Sequence, residues 1–375
     1  MFCNAQNNRK LDGIVEFDKL VHDFGDILIA DGPVSCTYTV TNIGNKPLVI
    51  YNVSSSCGCT AVDWTRQPLK PGEKGTIKAT FNNEDGPYPF DKTLTVYISG
   101  VKKPFILHLK GYAHNKKLAL NELYNIKFGS LAFREIDIKA GNMSQGESRS
   151  GEMWVANVGK DPINVSFSNV SQGLKVAVSP NPIPAGKTAK FLYTVTADRN
   201  HWGKNYYYAV PIVNNKSYPA VISTPVDANP KRGVEAIYSE PNPAIGEGKS
   251  IIGIYAFTKE DFSNWTETQR QNGSHPTFEE SSYSFGKVKA GEKIVATYTM
   301  KNEGKSLLKI YKFDSETYRA TCDYIPDVKP GEKASFKVNL DTTGLPKGES
   351  LLILSLTTNS PDRPLVNLFL AGWIE

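Results

Sequence analysis

An all-β fold of three immunoglobulin-like β-sandwich domains in tandem, with a strand-plus-short-helix connector before the third, is what this sequence predicts. Three observations carry the prediction: one pattern written three times, alternation of apolar and polar residues within it, and turn residues at matching places. The length of 375 residues suits two or three domains. With 30 glycines and 23 prolines the chain has turn residues to spare.

Each copy of the pattern opens on a Phe-Gly pair: Phe24-Gly25 in HDFGDI, Phe128-Gly129 in IKFGSL and Phe285-Gly286 in YSFGKV. An alternating strand then runs into an Asn-x-Gly turn, in YTVTNIGNKPLVI, MWVANVGKDPINV and YTMKNEGKSLLKI. Apolar residues at every second position give such strands one face to bury. Next come a proline- and glycine-marked turn and another strand, in KPGEKGTIKATF, PAGKTAKFLYTV and KPGEKASFKVNL. Asn42 to Gly72 spans 30 residues, Asn157 to Gly186 spans 29 and Asn302 to Gly331 spans 29, a register that chance does not hold. Closing strands such as KTLTVYIS, FILHLKGYA, LLILSLTT and LVNLFLAGW bring a copy to roughly seven short strands in about 100 residues, the signature of an immunoglobulin-like sandwich. Gly44, Gly159 and Gly304 are expected at positive φ, which a tight hairpin turn demands.

The second copy departs from the pattern. Phe128 lies 29 residues before Asn157, against 18 and 17 in the other copies, which predicts an insertion within AFREIDIKAGNMSQGES. From Ala228 to Pro276 the chain is too long for a plain linker. Its SIIGIYAF reads as a strand, and TKEDFSNWTETQRQNG as a short helix capped by Thr258, with Asp261 in its first turn, Phe262 and Trp265 on one face, and a stop near Gly273. The predicted organisation is therefore 1–13, a disordered N-terminal segment; 14–114, a sandwich; 115–227, a divergent sandwich with an insertion; 228–277, the connector; and 278–375, a sandwich. Within the first segment, Cys3 and Ala5 have the small-x-small arrangement that precedes a signal-peptidase cut, without the basic and apolar stretches of a whole signal.

The net charge of +5 is spread over 43 basic and 38 acidic residues without basic blocks, which argues against a nucleic-acid partner. No apolar run is long enough to cross a bilayer as a helix, so no transmembrane segment is expected. No Ser-His-Asp order, paired acid motif or oxyanion loop is recognisable. The chain is accordingly read as non-enzymatic, without a cofactor.

One stretch carries distinctive chemistry: VSSSCGCTAVDW, in which Cys57 and Cys59 flank Gly58. A turn at Gly58 would bring the two sulfurs within bonding range, whereas Cys36, inward on a strand with Tyr38 and Val40, offers a cross-strand bridge to either. All three are read as structural cysteines, bridged or buried. Two alternatives stand beside that reading. Two thiolates suit copper(I), and zinc would need a fuller set, with Cys36 and His22 as further metal candidates. A redox pair is the other, although thiol-disulfide enzymes place a Cys-x-x-Cys at a helix start. Farther on, HWGKNYYYAV puts Trp202, Tyr206 and Tyr208 forward as a ligand platform for a glycan or peptide, with Tyr207 facing the other way; sheet packing is the competing explanation.

With HDFGDI, TNIGNKPLVI, SSSCGCTAVDW and KPGEKGTIKATF together, the first copy closely resembles a bacterial envelope family of unknown function, common among Bacteroidetes. That family shows a His-Asp-Phe-Gly opening, a Ser-Cys-Gly-Cys-Thr motif and a Pro-Gly-Glu turn, and is similar in fold to the immunoglobulin-like domains of Hydin and the major sperm protein. The resemblance is strong over Phe17 to Tyr112, fair over Phe278 to Glu375 and weak between. It implies an exported, non-catalytic module of the periplasm or cell surface. The expected activity is binding or scaffolding for an envelope protein partner, through sandwich loops and strand edges. By count from the turn asparagines, the positions of Cys57 and Cys59 are held by Thr317 and Arg319 in the third copy and by Gln172 and Leu174 in the second.

Overall fold

The computed structural model describes residues 14–83, 88–101, 104–223 and 242–375. Residues 1–13, with the expected signal remnant, lie outside the described residues. Among those described, the chain divides after Leu123 into two compact units.

The first unit is a sandwich of eight strands: Val15–Phe17 (β1), Val21–Leu28 (β2), Val34–Asn42 (β3), Ile50–Ser55 (β4), Thr60–Trp64 (β5), Lys74–Phe81 (β6), Tyr88–Ile98 (β7) and Phe105–His114 (β8). One sheet has the order β1, β3, β6, β5 and the other β2, β8, β7, β4. Period-two patterning dictates this. In β6 the residues Gly75, Ile77, Ala79 and Phe81 are buried while Lys74, Thr76 and Lys78 face solvent. Tyr38, Val40, Ile77, Leu94 and Leu107 from the two inner faces form a core without solvent access. Strand β2 runs parallel to β8, with a bulge at Phe24-Gly25, where Gly25 has φ of 66°. A short helix, Leu120–Leu123 (α1), ends the unit.

The second unit holds two sandwiches. The middle one comprises Ile126–Phe128 (β9), Leu131–Phe133 (β10), Asp137–Ser144 (β11), Ser148–Asn157 (β12), Val165–Ser168 (β13), Leu174–Ser179 (β14), Thr188–Thr196 (β15), Gly203–Val213 (β16), Lys216–Ser217 (β17), Val221–Ile222 (β18) and Ile252–Lys259 (β19). Its sheets run β14, β15, β12, β10, β9, β18 and β11, β19, β16, β13, with β17 paired to β16. Helix α2, Glu267–Gln271, leads into the last sandwich: Pro276–Phe278 (β20), Ser282–Val288 (β21), Lys293–Asn302 (β22), Ile310–Ser315 (β23), Ala320–Thr321 (β24), Lys333–Asp341 (β25), Gly348–Thr358 (β26) and Leu365–Ile374 (β27). Its sheet orders, β20, β22, β25, β24 and β21, β27, β26, β23, repeat those of the first sandwich strand for strand.

Four expectations are corrected here. SIIGIYAF does not belong to a connector. As β19 it lies parallel to β11 and antiparallel to β16, so it closes the middle sandwich as β8 closes the first. Phe128-Gly129 does not open the middle sandwich in the way Phe24-Gly25 and Phe285-Gly286 open theirs; it turns the extra β9–β10 hairpin. The bulge on its parallel edge falls at Gly141, with φ of 87°. Gly141 precedes Asn157 by 16 residues, as Gly286 precedes Asn302, so the added residues stand upstream of the opening strand and not after it. Thr258 caps no helix. It is fully buried within β19, and Thr266 caps α2 instead, in a reciprocal capping box with Gln269.

The fourth correction concerns the turn glycines. Gly44, Gly159 and Gly304 are not among the residues at positive φ. They are needed for close approach: a Cβ on Gly44 would sit 3.1 Å from Ile14 Cβ, one on Gly159 would sit 2.7 Å from Ser130 Oγ, and one on Gly304 would run into the Gly273 carbonyl. Left-handed backbone falls one turn later, at Gly72, Gly186 and Gly331.

Candidate functional site

The CGC motif forms the corner from β4 to β5. Ser56 exchanges bonds with Thr93 on β7, its N–H donating to the Thr93 carbonyl at 2.9 Å and its hydroxyl accepting from the Thr93 N–H at 3.0 Å. Ser55 Oγ donates to the Cys57 carbonyl at 2.5 Å, and the Asn82 N–H to the Cys59 carbonyl at 2.8 Å. Held this way, Cys57 and Cys59 form a disulfide with Cα atoms 5.2 Å apart. The Thr60 hydroxyl lies 3.6 Å from Cys57 Sγ and 4.0 Å from Cys59 Sγ. Both cysteines are half-buried and Thr60 is buried. Gly58 is not at positive φ, and a Cβ there would meet nothing within 4 Å, so the corner does not depend on glycine.

So short a ring removes little freedom from the unfolded chain. Loop-closure entropy gives about 1.5 kcal/mol for three residues, roughly half the value for a 15-residue loop.

The other sulfur and imidazole candidates are elsewhere. Cys36 is 6% exposed, in the core with Tyr38 and Val40 as its strand position implied. Burial pushes its thiol pKa up, against a smaller opposing hydrogen bond with Tyr38. It faces Ala79 on β6, and Ala79 faces Val62 on β5, so a whole strand intervenes and no bridge to the motif forms. His22 is on β2 in the opposite sheet, edge-on to Phe24 with ring centroids 4.5 Å apart. The structure therefore does not gather Cys36 and His22 with the pair. Among the described residues no group of three His, Cys, Asp or Glu side chains is placed to hold a metal ion.

The aromatic candidates stand where the second and third sandwiches meet. Trp202 stacks on Tyr311 with centroids 4.3 Å apart and planes 10° from parallel, so this ring serves the junction. Tyr207 points into the core, and Tyr206 and Tyr208 share the opposite face as alternation requires. Lys204 lies over Tyr206 and Tyr255, 5.0 and 4.6 Å from their centroids. Asp314 reaches in from β23, accepting from the Lys204 N–H at 2.8 Å and pairing with Lys312 at 3.2 Å. Burial pushes the Asp314, Glu316 and Asp137 carboxyls above their usual range, and the Lys204 charge opposes the shift in all three. Sequence reading missed Thr60 and Lys204 alike. The signal for Thr60 was present in SCGCT; Lys204 becomes significant only through the docking of two domains.

A family model described as "Protein of unknown function (DUF1573)" matches residues 15–113 and 276–370, together more than half of the chain. The chain belongs to this family. The two DUF1573 matches fall on the first and third sandwiches, the two with identical strand order. The unmatched middle carries the added β9–β10 hairpin and the strand β18. Among solved structures the chain is similar to a protein of unknown function from Porphyromonas gingivalis W83, at 13% identity over 65% of this chain and all of that one, TM-score 0.45. It is also similar to an ASH/PapD-like domain of human CEP192, at 11% identity over 29% of this chain and 92% of that one, TM-score 0.25. Among curated proteins none matches. Neither structural likeness says what this DUF1573 protein does.

Proposed function

We propose that this chain is a non-catalytic, exported binding or scaffolding protein of the bacterial cell envelope, presenting loops and strand edges of its sandwiches to a protein partner. The observation that carries the reading is the edge beside the CGC corner. Among the described residues strand β5 pairs with β6 alone, and it exposes Ala61 and Asp63. An edge strand is a ready template for an added strand. In the other sheet, Tyr51 is 60% exposed and packs against Tyr97, and Ile106 is 42% exposed. Membership of a family of unknown function and an all-β fold fit such a role in its broad form.

The test is site-specific photocrosslinking in exported protein, with the probe at Ala61 or Tyr51. A discrete adduct with one envelope protein, retained in the Cys57→Ser, Cys59→Ser variant, is the expected result. No adduct at either position would overturn the proposal, as would copper that copurifies with the native chain and is lost with the two cysteines.

A further inference from the structure

The third sandwich supplies an internal control for the CGC corner. Glu316 N–H donates to the Ile353 carbonyl, Ala320 N–H to Thr317 and Asp341 N–H to Arg319. These repeat Ser56 to Thr93, Thr60 to Cys57 and Asn82 to Cys59. The same corner is thus built with Thr317 and Arg319 where the first sandwich has its two cysteines. The corner of the middle sandwich is one residue shorter: Thr196 N–H donates to the Gly173 carbonyl and Leu174 N–H to Ser171, so the counted equivalents Gln172 and Leu174 are displaced. The third sandwich makes this corner without a disulfide, with the Arg319 N–H donating to Thr317 Oγ1 at 3.1 Å, so a disulfide is not required to fold it.

A second difference goes with the first. The residue after the motif is Thr60 in the first sandwich, Ala320 in the third and Leu174 in the middle. A hydroxyl occupies that position only where there are sulfurs for it to meet, within 4.0 Å of both. A hydroxyl beside a disulfide can donate to a thiolate once the bond opens, and such charge-assisted bonds are the stronger kind.

We propose that Cys57–Cys59 is an exchangeable two-electron site that oxidises a dithiol. A thiolate of the dithiol attacks Cys59 Sγ. A new S–S bond forms, and the Cys57–Cys59 bond breaks with its electron pair leaving on Cys57, where the Thr60 hydroxyl donates to the thiolate and water supplies its proton. The second thiolate of the dithiol then attacks the sulfur of its own chain in the mixed disulfide and releases Cys59, which is protonated in turn. The site gains two electrons and two protons, and the dithiol becomes a disulfide. Cys36, buried and a strand away, takes no part. Thr60 acts as a positioning residue for the leaving sulfur.

The test uses the whole oxidised chain and dithiothreitol, in buffers of varied reduced-to-oxidised ratio without denaturant. Alkylation and peptide mass report the thiols, and near-ultraviolet circular dichroism reports the packing. Reversible reduction of Cys57 and Cys59 with an unchanged spectrum is expected. The Thr60→Val variant should reduce about tenfold more slowly, for loss of one hydrogen bond to a charged group, and Thr60→Ser should restore the rate. Reduction only under denaturant, loss of the spectrum on reduction, or a Thr60→Val rate equal to that of the parent would overturn the proposal. These readouts are separate from partner capture, so either proposal can fail alone.

Discussion

The side-chain amide of Asn42 donates to the Leu69 carbonyl at 2.8 Å, joining two turns 27 residues apart in a site without solvent access. The same amide donates to Lys46 at 2.9 Å, and its oxygen accepts from the Gly44 N–H. Asn157 and Asn302 repeat this, to Ile183 at 3.0 Å and Val328 at 2.9 Å. The asparagine of the Asn-x-Gly turn is therefore an internal tie, and it accounts for the constant spacing seen in the sequence, because the carbonyl it reaches stands three residues before Gly72, Gly186 or Gly331 in each copy. Asn302→Ala should cost about 3 kcal/mol, because the Ser306 and Val328 carbonyls and the Gly304 and His275 N–H groups all lose their partner. Chemical denaturation of the second unit measures it. A cost under about 1 kcal/mol would mean that water replaces the amide.

The three turn glycines should rank by what a methyl group would meet. Gly304→Ala drives a Cβ into the Gly273 carbonyl, which is backbone and cannot turn aside. Gly159→Ala meets Ser130, whose Oγ can rotate but whose Cβ, 2.9 Å away, cannot, and Gly44→Ala meets the Ile14 side chain at 3.1 Å. The expected losses are about 3 kcal/mol for Gly304 and about 1 kcal/mol or less for Gly44, with Gly159 between them, on the usual cost of overpacking. Equal losses at all three would point to backbone conformation and against close approach.

The alternation and the 29- or 30-residue spacing made the sandwiches legible before any coordinates, since strand faces and the asparagine tie are local or periodic. The closing strand β19 was legible as a strand but not as a member of its sheet. Its partners β11 and β16 are distant in sequence, and nothing local says which sheet an apolar strand completes. Phe128-Gly129 misled for a similar reason, because a hairpin and a bulge both use glycine at positive φ. At the motif, the pairing of Cys57 with Cys59 rather than with Cys36 turns on strand order, which places β6 between β3 and β5.

The junction of the second and third sandwiches should respond to pH in a defined direction. Asp314, Glu316 and Asp137 have folded pKa values raised mainly by burial. A carboxyl raised on folding binds its proton more tightly in the folded state. Its contribution is full below the ordinary carboxylate range and is lost as pH rises through the folded value. Carboxyls with lowered values, such as Asp198 and Asp341, act in the opposite sense, so a difference measurement is needed. The stability of the parent relative to Asp314→Asn should fall as pH rises from about 4 to about 7. The Lys204→Met change, by removing the cation that opposes all three shifts, should steepen the fall. Paired denaturation curves across that range decide it, and a relative stability that stays constant or grows with pH would count against the burial argument.

The disulfide and the asparagine tie make opposite demands on the first sandwich, and the comparison says which of them holds the fold. A three-residue ring limits the unfolded chain by about 1.5 kcal/mol at most, and the third sandwich forms the same corner without one. Cys57→Ser, Cys59→Ser should therefore lower the stability of the first unit by no more than that amount, while Asn42→Ala in the same unit lowers it by about 3 kcal/mol. Urea denaturation of both variants, followed by the fluorescence of Trp64, gives the two values side by side. If the serine variant proves the weaker of the two, the sulfurs hold the corner after all, and an exchangeable bond there would cost the domain its fold whenever it opened.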